Sequence, residues 1–170
     1  GGYSGTFNNC TLTGNSAGRG GGAGAEFDEV CTLNNCITYF NSAPEGANYD
    51  LYSVLKYCCT TPQPAGAGNI STEPQLASAS HLSAASLCRG KGSAVYRTGT
   101  DIDGEVWANP PAIGCDEYRV GQVTGSLGVA ILTPFTTITP GYSLALTALV
   151  DGRTSASAWN FGDGLVVSNR

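Results

Sequence analysis

Between residues 101 and 117 the chain places four acidic side chains, Asp101 and Asp103 in TDIDG and Asp116 and Glu117 in CDEY. Carboxylates so grouped have two uses in chemistry, as a general acid and base pair or as hard oxygen donors for Ca2+. TDIDG carries a fragment of a calcium loop, and Asp163 in FGDG offers a third oxygen donor, so Asp101, Asp103 and Asp163 are the calcium candidates. Against this stands a structural reading, because Asp braces turns by accepting hydrogen bonds from its own backbone, and both stretches read first as turns. His81 is the single histidine, so any Ser-His-Asp or Cys-His arrangement has to use it. No GxSxG elbow, HExxH pair or strand-to-helix phosphate loop accompanies it. The expectation is a chain without catalytic residues and without a cofactor, calcium being the one ion its carboxylates suit.

The seven cysteines follow a pattern of their own. The stretch FNNCTLTGNSA at residues 7 to 17 returns as LNNCITYFNSA at residues 33 to 43. Aligned on cysteine, Phe7, Leu33 and Leu55 fall in one column, Cys10, Cys36 and Cys58 in another, and Leu12, Thr38 and Thr60 in a third, with periods of 26 and 22 residues. Periods in the twenties with short β-prone runs and Gly-rich connections such as GRGGGAGA signal a solenoid in which each repeat is one coil. The cysteine column reads as small buried thiols, since in-register neighbours of a parallel sheet are poorly oriented for a disulfide. Zinc at these cysteines lacks the C-x-x-C and His spacings it needs, and Cys58-Cys59 point to opposite faces of one strand. Cys88 and Cys115 lie outside the column and are the disulfide candidates.

Strand side chains alternate with period two, so Phe7 and Cys10, three apart, cannot both face inward along one straight strand. The doublets Asn8-Asn9 and Asn34-Asn35 supply the residue type that best tolerates left-handed backbone angles, which makes each a corner between two strands. The third repeat reads Lys56-Tyr57 there, a lost corner that suits a terminal coil. Asn15 and Asn41 also match, each five residues after its cysteine, and coils about 4.8 Å apart allow their amides to form a ladder. Asn9 and Asn69 satisfy the N-x-[ST] pattern, with Asn9 at an outward corner. Tyr3, Tyr39, Tyr49, Tyr52 and Tyr57 suit either a sugar-stacking face or packing between loops, and packing is the favoured reading.

Taken together, GTFNNCTLTGNSAGRGGGAG, CTLNNCITYFNSAPEGANYD and YCCTTPQPAGAGNISTEPQL resemble the last coils of right-handed parallel β-helix proteins found in large secreted bacterial polypeptides. SAASLCRGKGS followed by TDIDGEVWANPPAIGCDEY resembles the segment that closes such helices in the choice-of-anchor Q family. Cys115 and Asp116 stand where that family's common ending has a small residue and an aromatic one, and His81 and Ala85 also depart from its usual wording. The two resemblances imply that residues 1–118 form terminal coils and a closing segment.

After Tyr118 the composition changes. Residues 143–150 alternate as a strand, Asp151-Gly152 reads as a turn, and SASAWNFGDG puts a Trp on the next strand before a second turn. Trp159, Phe161, Gly162, Asp163 and Gly164 are similar to the hallmark of immunoglobulin-like domains of the PKD type. That implies the start of an antiparallel sandwich over residues 119–170, lacking its later strands. The expected fold is therefore all-β, a parallel β-helix end followed by part of an Ig-like sandwich.

Composition narrows function. A net charge of -5 with 12% charged residues leaves no basic stripe for phosphates, which excludes nucleic acid as the natural partner, and no apolar run is long enough to insert in a membrane as a helix. The chain has no Met, and it opens and closes inside its patterns, so we expect a piece of something longer, with flanking domains or neighbouring copies as partners. The leading expectation is a structural or adhesive module of a secreted or cell-surface protein, with head-to-tail filament formation a version of it. The alternative is a carbohydrate-binding or polysaccharide-degrading protein, with polysaccharide as the ligand.

Overall fold

The structure, a computed structural model, describes residues 1–120, 128–151 and 157–169. The described residues are all-β, with twelve short strands and no helix, hence no helix long and apolar enough to cross a membrane. In chain order the strands are β1 (Gly2–Tyr3), β2 (Gly5–Asn8), β3 (Thr11–Thr13), β4 (Ala23–Gly24), β5 (Cys31–Asn34), β6 (Ile37–Tyr39), β7 (Ser53–Lys56) and β8 (Cys59–Thr60). Four more follow: β9 (Gly128–Leu132), β10 (Thr147–Asp151), β11 (Ser157–Asn160) and β12 (Val166–Asn169).

The first eight strands build parallel sheets by stacking equivalent pieces of successive repeats. One sheet has the order β2-β5-β7, with Phe7 opposite Leu33 and Leu33 opposite Leu55. The next has the order β3-β6-β8, with Leu12 opposite Thr38 and Thr38 opposite Thr60. A third side is formed by β1 beside β4, and Ala23 bridges on to Tyr49. The chain passes from the first sheet to the second through Asn9, Asn35 and Tyr57, whose φ angles are 50°, 52° and 52°. The corner is thus kept in the third rung although Tyr replaces Asn, because the strand ladders on both sides of it fix the backbone path. The Gly-rich stretch is part of the wall: a Cβ on Gly22 would lie 2.1 Å from Thr38 Oγ1 and 2.4 Å from the Asn48 carbonyl oxygen.

Enclosed by these sheets, Cys31, Leu33, Cys36, Leu55 and Cys58 pack with Ala23 and Ala25, and Phe7, Cys10 and Leu12 complete the first rung half-buried. Full burial of Leu33 and Leu55 contributes roughly 1.5–3 kcal/mol each. The thiols suit this interior because each can donate to a nearby carbonyl: Cys36 Sγ to Asn34 O at 3.2 Å and Cys58 Sγ to Lys56 O at 3.3 Å.

A second core lies on the other face of β6 and β8, where Ile37 and Cys59 meet Leu82, Cys88, Ala112 and Ile113. Residues 74–118, called the closing segment below because they cover it, fold back over that face. Their backbone is tied to the rungs by Gly114 N–H to Asn35 O at 2.8 Å and by Cys115 N–H to Thr11 Oγ1 at 3.1 Å. Consequently β6 is buried on both faces, with Thr38 Oγ1 donating inward to Asn48 O at 2.6 Å and Ile37 pointing outward into the second core.

Beyond these cores, β9 pairs antiparallel with β10 and β11 with β12, as two separate two-stranded sheets. The strand expected over residues 143–150 begins only at Thr147. Gly152, half of one expected turn, lies outside the described residues. Trp159 sits opposite Val167 and stacks on Phe161 with ring centroids 5.9 Å apart. In the FGDG turn Asp163 Oδ1 accepts the Leu165 N–H at 2.9 Å.

Candidate functional site

The turn that carries His81 is built by Ser78, whose Oγ accepts the N–H groups of Ser80 and His81 at 3.3 and 3.1 Å. Ala77 N–H donates to His81 O at 2.8 Å, and Leu76 bridges Leu82 across the turn. This local closure points the imidazole inward, where the residue is 4% exposed. Its Nδ1 lies 3.0 Å from Ser78 Oγ and 2.9 Å from Ser80 Oγ, and its Nε2 lies 3.1 Å from Asp103 Oδ2.

Asp103 comes from a second tight turn, shaped by Asp101. Asp101 Oδ1 accepts the N–H groups of Asp103 and Glu105 at 3.0 and 2.7 Å, and its Oδ2 accepts Glu117 N–H at 2.9 Å. Asp116 arrives from the end of the closing segment, fully buried, with Oδ2 accepting Leu82 N–H at 2.9 Å. Glu117 points elsewhere, its Oε2 accepting Ala112 N–H at 2.8 Å and Ala108 N–H at 3.2 Å. Burial pushes the Glu117 carboxyl above its ordinary range, opposed by those two N–H groups and by the Arg119 guanidinium.

The acidic quartet of the sequence therefore separates into two jobs. Asp101 and Glu117 spend their oxygens on backbone N–H groups and hold loops. Asp103 and Asp116 converge with His81, and among the described residues these three form the group whose ligand atoms all lie within 4.8 Å of one another. Asp163, the remaining calcium candidate, braces its own turn and is not part of that group. His81 has no acidic neighbour in sequence and meets Asp103 across 22 residues, so its partner was invisible to motif and repeat alike. Ser80, His81 and Asp103 do form a hydroxyl–imidazole–carboxylate chain. Two features tell against nucleophilic use: Ser78 competes for the same ring nitrogen, and the ring is sealed from any substrate.

The asparagines serve the stack. Asn34 Nδ2 donates to Asn8 Oδ1 at 2.9 Å, Asn35 Nδ2 to Asn9 Oδ1 at 3.0 Å, and Asn15 Nδ2 to Asn41 Oδ1 at 3.0 Å. Asn35 also docks the closing segment, donating to Ser93 O at 2.8 Å and accepting Ser93 N–H at 2.7 Å. The glycosylation expectation is corrected at Asn69, which is buried and whose Nδ2 donates to both Leu55 O at 2.9 Å and Ala65 O at 3.3 Å, so a glycan there displaces an internal contact. Asn9 is half-buried, and its Nδ2 donates to Tyr96 O at 2.9 Å.

A second correction concerns sulfur. All seven cysteines are free, and Cys88 and Cys115 do not pair. Cys88 packs beside Cys59 in the second core, whereas Cys115 Sγ donates to Ser80 O at 3.4 Å. Burial pushes the Cys115 thiol up to about 11. The tyrosines pair locally with Phe40, Tyr96 and Phe27 through Tyr39, Tyr57 and Tyr52 respectively.

Compared with known proteins, the chain matches no family model, no curated protein and no solved structure. Fold and site define it as an all-β chain of stacked parallel sheets with a sealed imidazole–carboxylate centre in the segment that covers them.

Proposed function

We propose that residues 1–118 are the terminal coils and closing segment of a right-handed parallel β-helix, that residues 119–170 begin a PKD-type sandwich, and that the chain is a structural or adhesive module of a large secreted or cell-surface protein. The observation that carries the reading is the in-register parallel stacking of equivalent strands from successive repeats, β2 on β5 on β7 and β3 on β6 on β8. Within β2, Gly5 N–H donates to Val30 O and Asn9 N–H, just beyond the strand, donates to Asn34 O. By alternation the N–H groups of Thr6 and Asn8 then point away from β5, from a strand that has β5 as its one neighbour. Such an edge pairs with another strand of matching spacing, from a preceding coil of the same polypeptide or from a second copy. The columns of Asn and Cys behind it offer a further rung the same contacts that hold β5 on β2, which is the chemistry of head-to-tail stacking.

Sedimentation velocity over a range of concentrations tests this. The chain should form elongated head-to-tail species, and Thr6→Pro, which removes an outward N–H and leaves the β2-β5 ladder untouched, should abolish them. Identical monomeric sedimentation of both proteins would overturn the stacking role. Depolymerisation of a polysaccharide, lost on changing Asp101 and Asp103 together, would replace it with the carbohydrate reading.

A further inference from the structure

We propose that His81, Asp103 and Asp116 bind one divalent transition-metal ion of the Zn2+ class, through His81 Nε2 and one oxygen from each carboxylate, and that the ion clips the closing segment together. Their ligand atoms lie within 4.8 Å of one another, and His81 Nε2 is 3.1 Å from Asp103 Oδ2. Bonds of 2.0–2.2 Å to a shared ion set neighbouring ligand atoms about 3.0–3.5 Å apart. The imidazole–carboxylate edge already has that spacing, and an Asp116 carboxylate oxygen lies within 4.8 Å of the other two ligand atoms.

Burial separates this cluster from an ordinary surface patch of acidic groups. Asp116 is 0% exposed, and the His81 and Asp103 side chains are 5% and 2% exposed. Groups held out of water at this range are positioned by the fold and not by mutual accident on a flexible surface. Each has outer contacts that fix its orientation: two serine hydroxyls at His81 Nδ1, the Leu82 N–H at Asp116 Oδ2, and the Asp101-braced turn behind Asp103. Outer-shell hydrogen bonds of this kind orient metal ligands and set their donor strength.

The donor set selects the ion. Calcium takes six to eight oxygens in open, flexible geometry, whereas one imidazole nitrogen with two carboxylates suits zinc and its first-row neighbours. Metal binding uses the tautomer with the Nε2 lone pair on the ion and Nδ1–H donating to a serine hydroxyl, and Ser78 and Ser80 Oγ lie 3.0 and 2.9 Å from Nδ1 to accept it. The mechanical effect follows from position. Residues 81, 103 and 116 sit on three loops of a segment whose own pairing is limited to isolated bridges, and one ion ties all three.

The test uses the full chain after dialysis against a chelator. Zn2+ titrated calorimetrically should bind at one per chain and raise the melting temperature, and Co2+ should give a nitrogen and oxygen ligand-field spectrum without thiolate charge transfer. His81→Gln and Asp103→Asn should each weaken binding at least about 100-fold. Asp163→Asn and Cys115→Ser should leave it unchanged. Should either ligand variant fail to fold, the wild-type cobalt spectrum decides. Absence of one-to-one binding, a thiolate spectrum, or equal affinity in folded His81→Gln protein would overturn the proposal.

Discussion

Replacing Asn35 tests whether one amide holds both the stack and its cover. The side chain is 0% exposed, and its three polar contacts are to Asn9 Oδ1, Ser93 O and Ser93 N–H. In Asn35→Ala those three groups lose their partner, at about 1 kcal/mol net for each hydrogen bond. The position also has φ of 52°, where alanine costs about 1 kcal/mol that asparagine largely avoids. The sum is about 4 kcal/mol, or a melting temperature lower by roughly 8–16 °C for a chain of this size. Asn35→Gly removes the same hydrogen bonds without the backbone cost, so it should be about 1 kcal/mol milder than Ala. Denaturant and thermal melts followed by circular dichroism give both numbers, and hydrogen exchange at the Ser93 N–H reports the cover directly. If Asn35→Ala costs less than about 1 kcal/mol, or the Ser93 N–H exchanges no faster, the account of Asn35 as the joint is wrong.

Two further outcomes probe the wall and the buried acid. Gly22→Ala puts a methyl 2.1 Å from Thr38 Oγ1 and 2.6 Å from Asn41 Nδ2, which should cost about 1–3 kcal/mol in denaturant melts, and Gly22→Ala with Thr38→Ala should cost less than the sum of the two. Glu117, held by burial above its ordinary value of 4.5, binds its proton more tightly folded than unfolded. Its contribution is therefore full below the unfolded value and is lost as pH rises through the folded one. Glu117→Gln keeps an acceptor for Ala112 N–H and removes that slope, so the stability of wild type relative to variant should fall as pH rises above 4.5; melts at a series of pH values that show a constant difference would refute it.

What was legible in the sequence is whatever the stack repeats. Parallel in-register pairing places the same side chain in the same environment at every rung, so Phe7, Leu33 and Leu55 declared their column, and Asn9 and Asn35 their corner. Tyr57 shows the limit: it occupies the same left-handed position without the residue type that marks it, because neighbouring ladders impose the conformation. Likewise GRGGGAGA read as a connector, although Gly22 is pressed against Thr38 inside the wall, since glycine has the same signature whether it frees a loop or permits a close approach.

The hidden part is whatever occurs once. Cys58 and Cys59 were legible as facing opposite ways, but the second face became a core only through Leu82, Cys88 and Ile113, which no period connects to it. His81, Asp103 and Asp116 are further from legibility, each at the tip or end of a different non-repeating loop. There is a physical reason for a singular site to lie there. A rung interior confined between stacked neighbours is filled mainly by residues that can be stacked, small thiols, leucines and amides, and its one-off buried carboxylate, Asp50, is held by the Ala25 and Tyr52 N–H groups with Arg19 at 3.6 Å. The closing segment is free of that constraint, so a one-off polar centre can be assembled in it from loops whose positions the stack fixes through Asn35, Thr11 and the apolar face of β6.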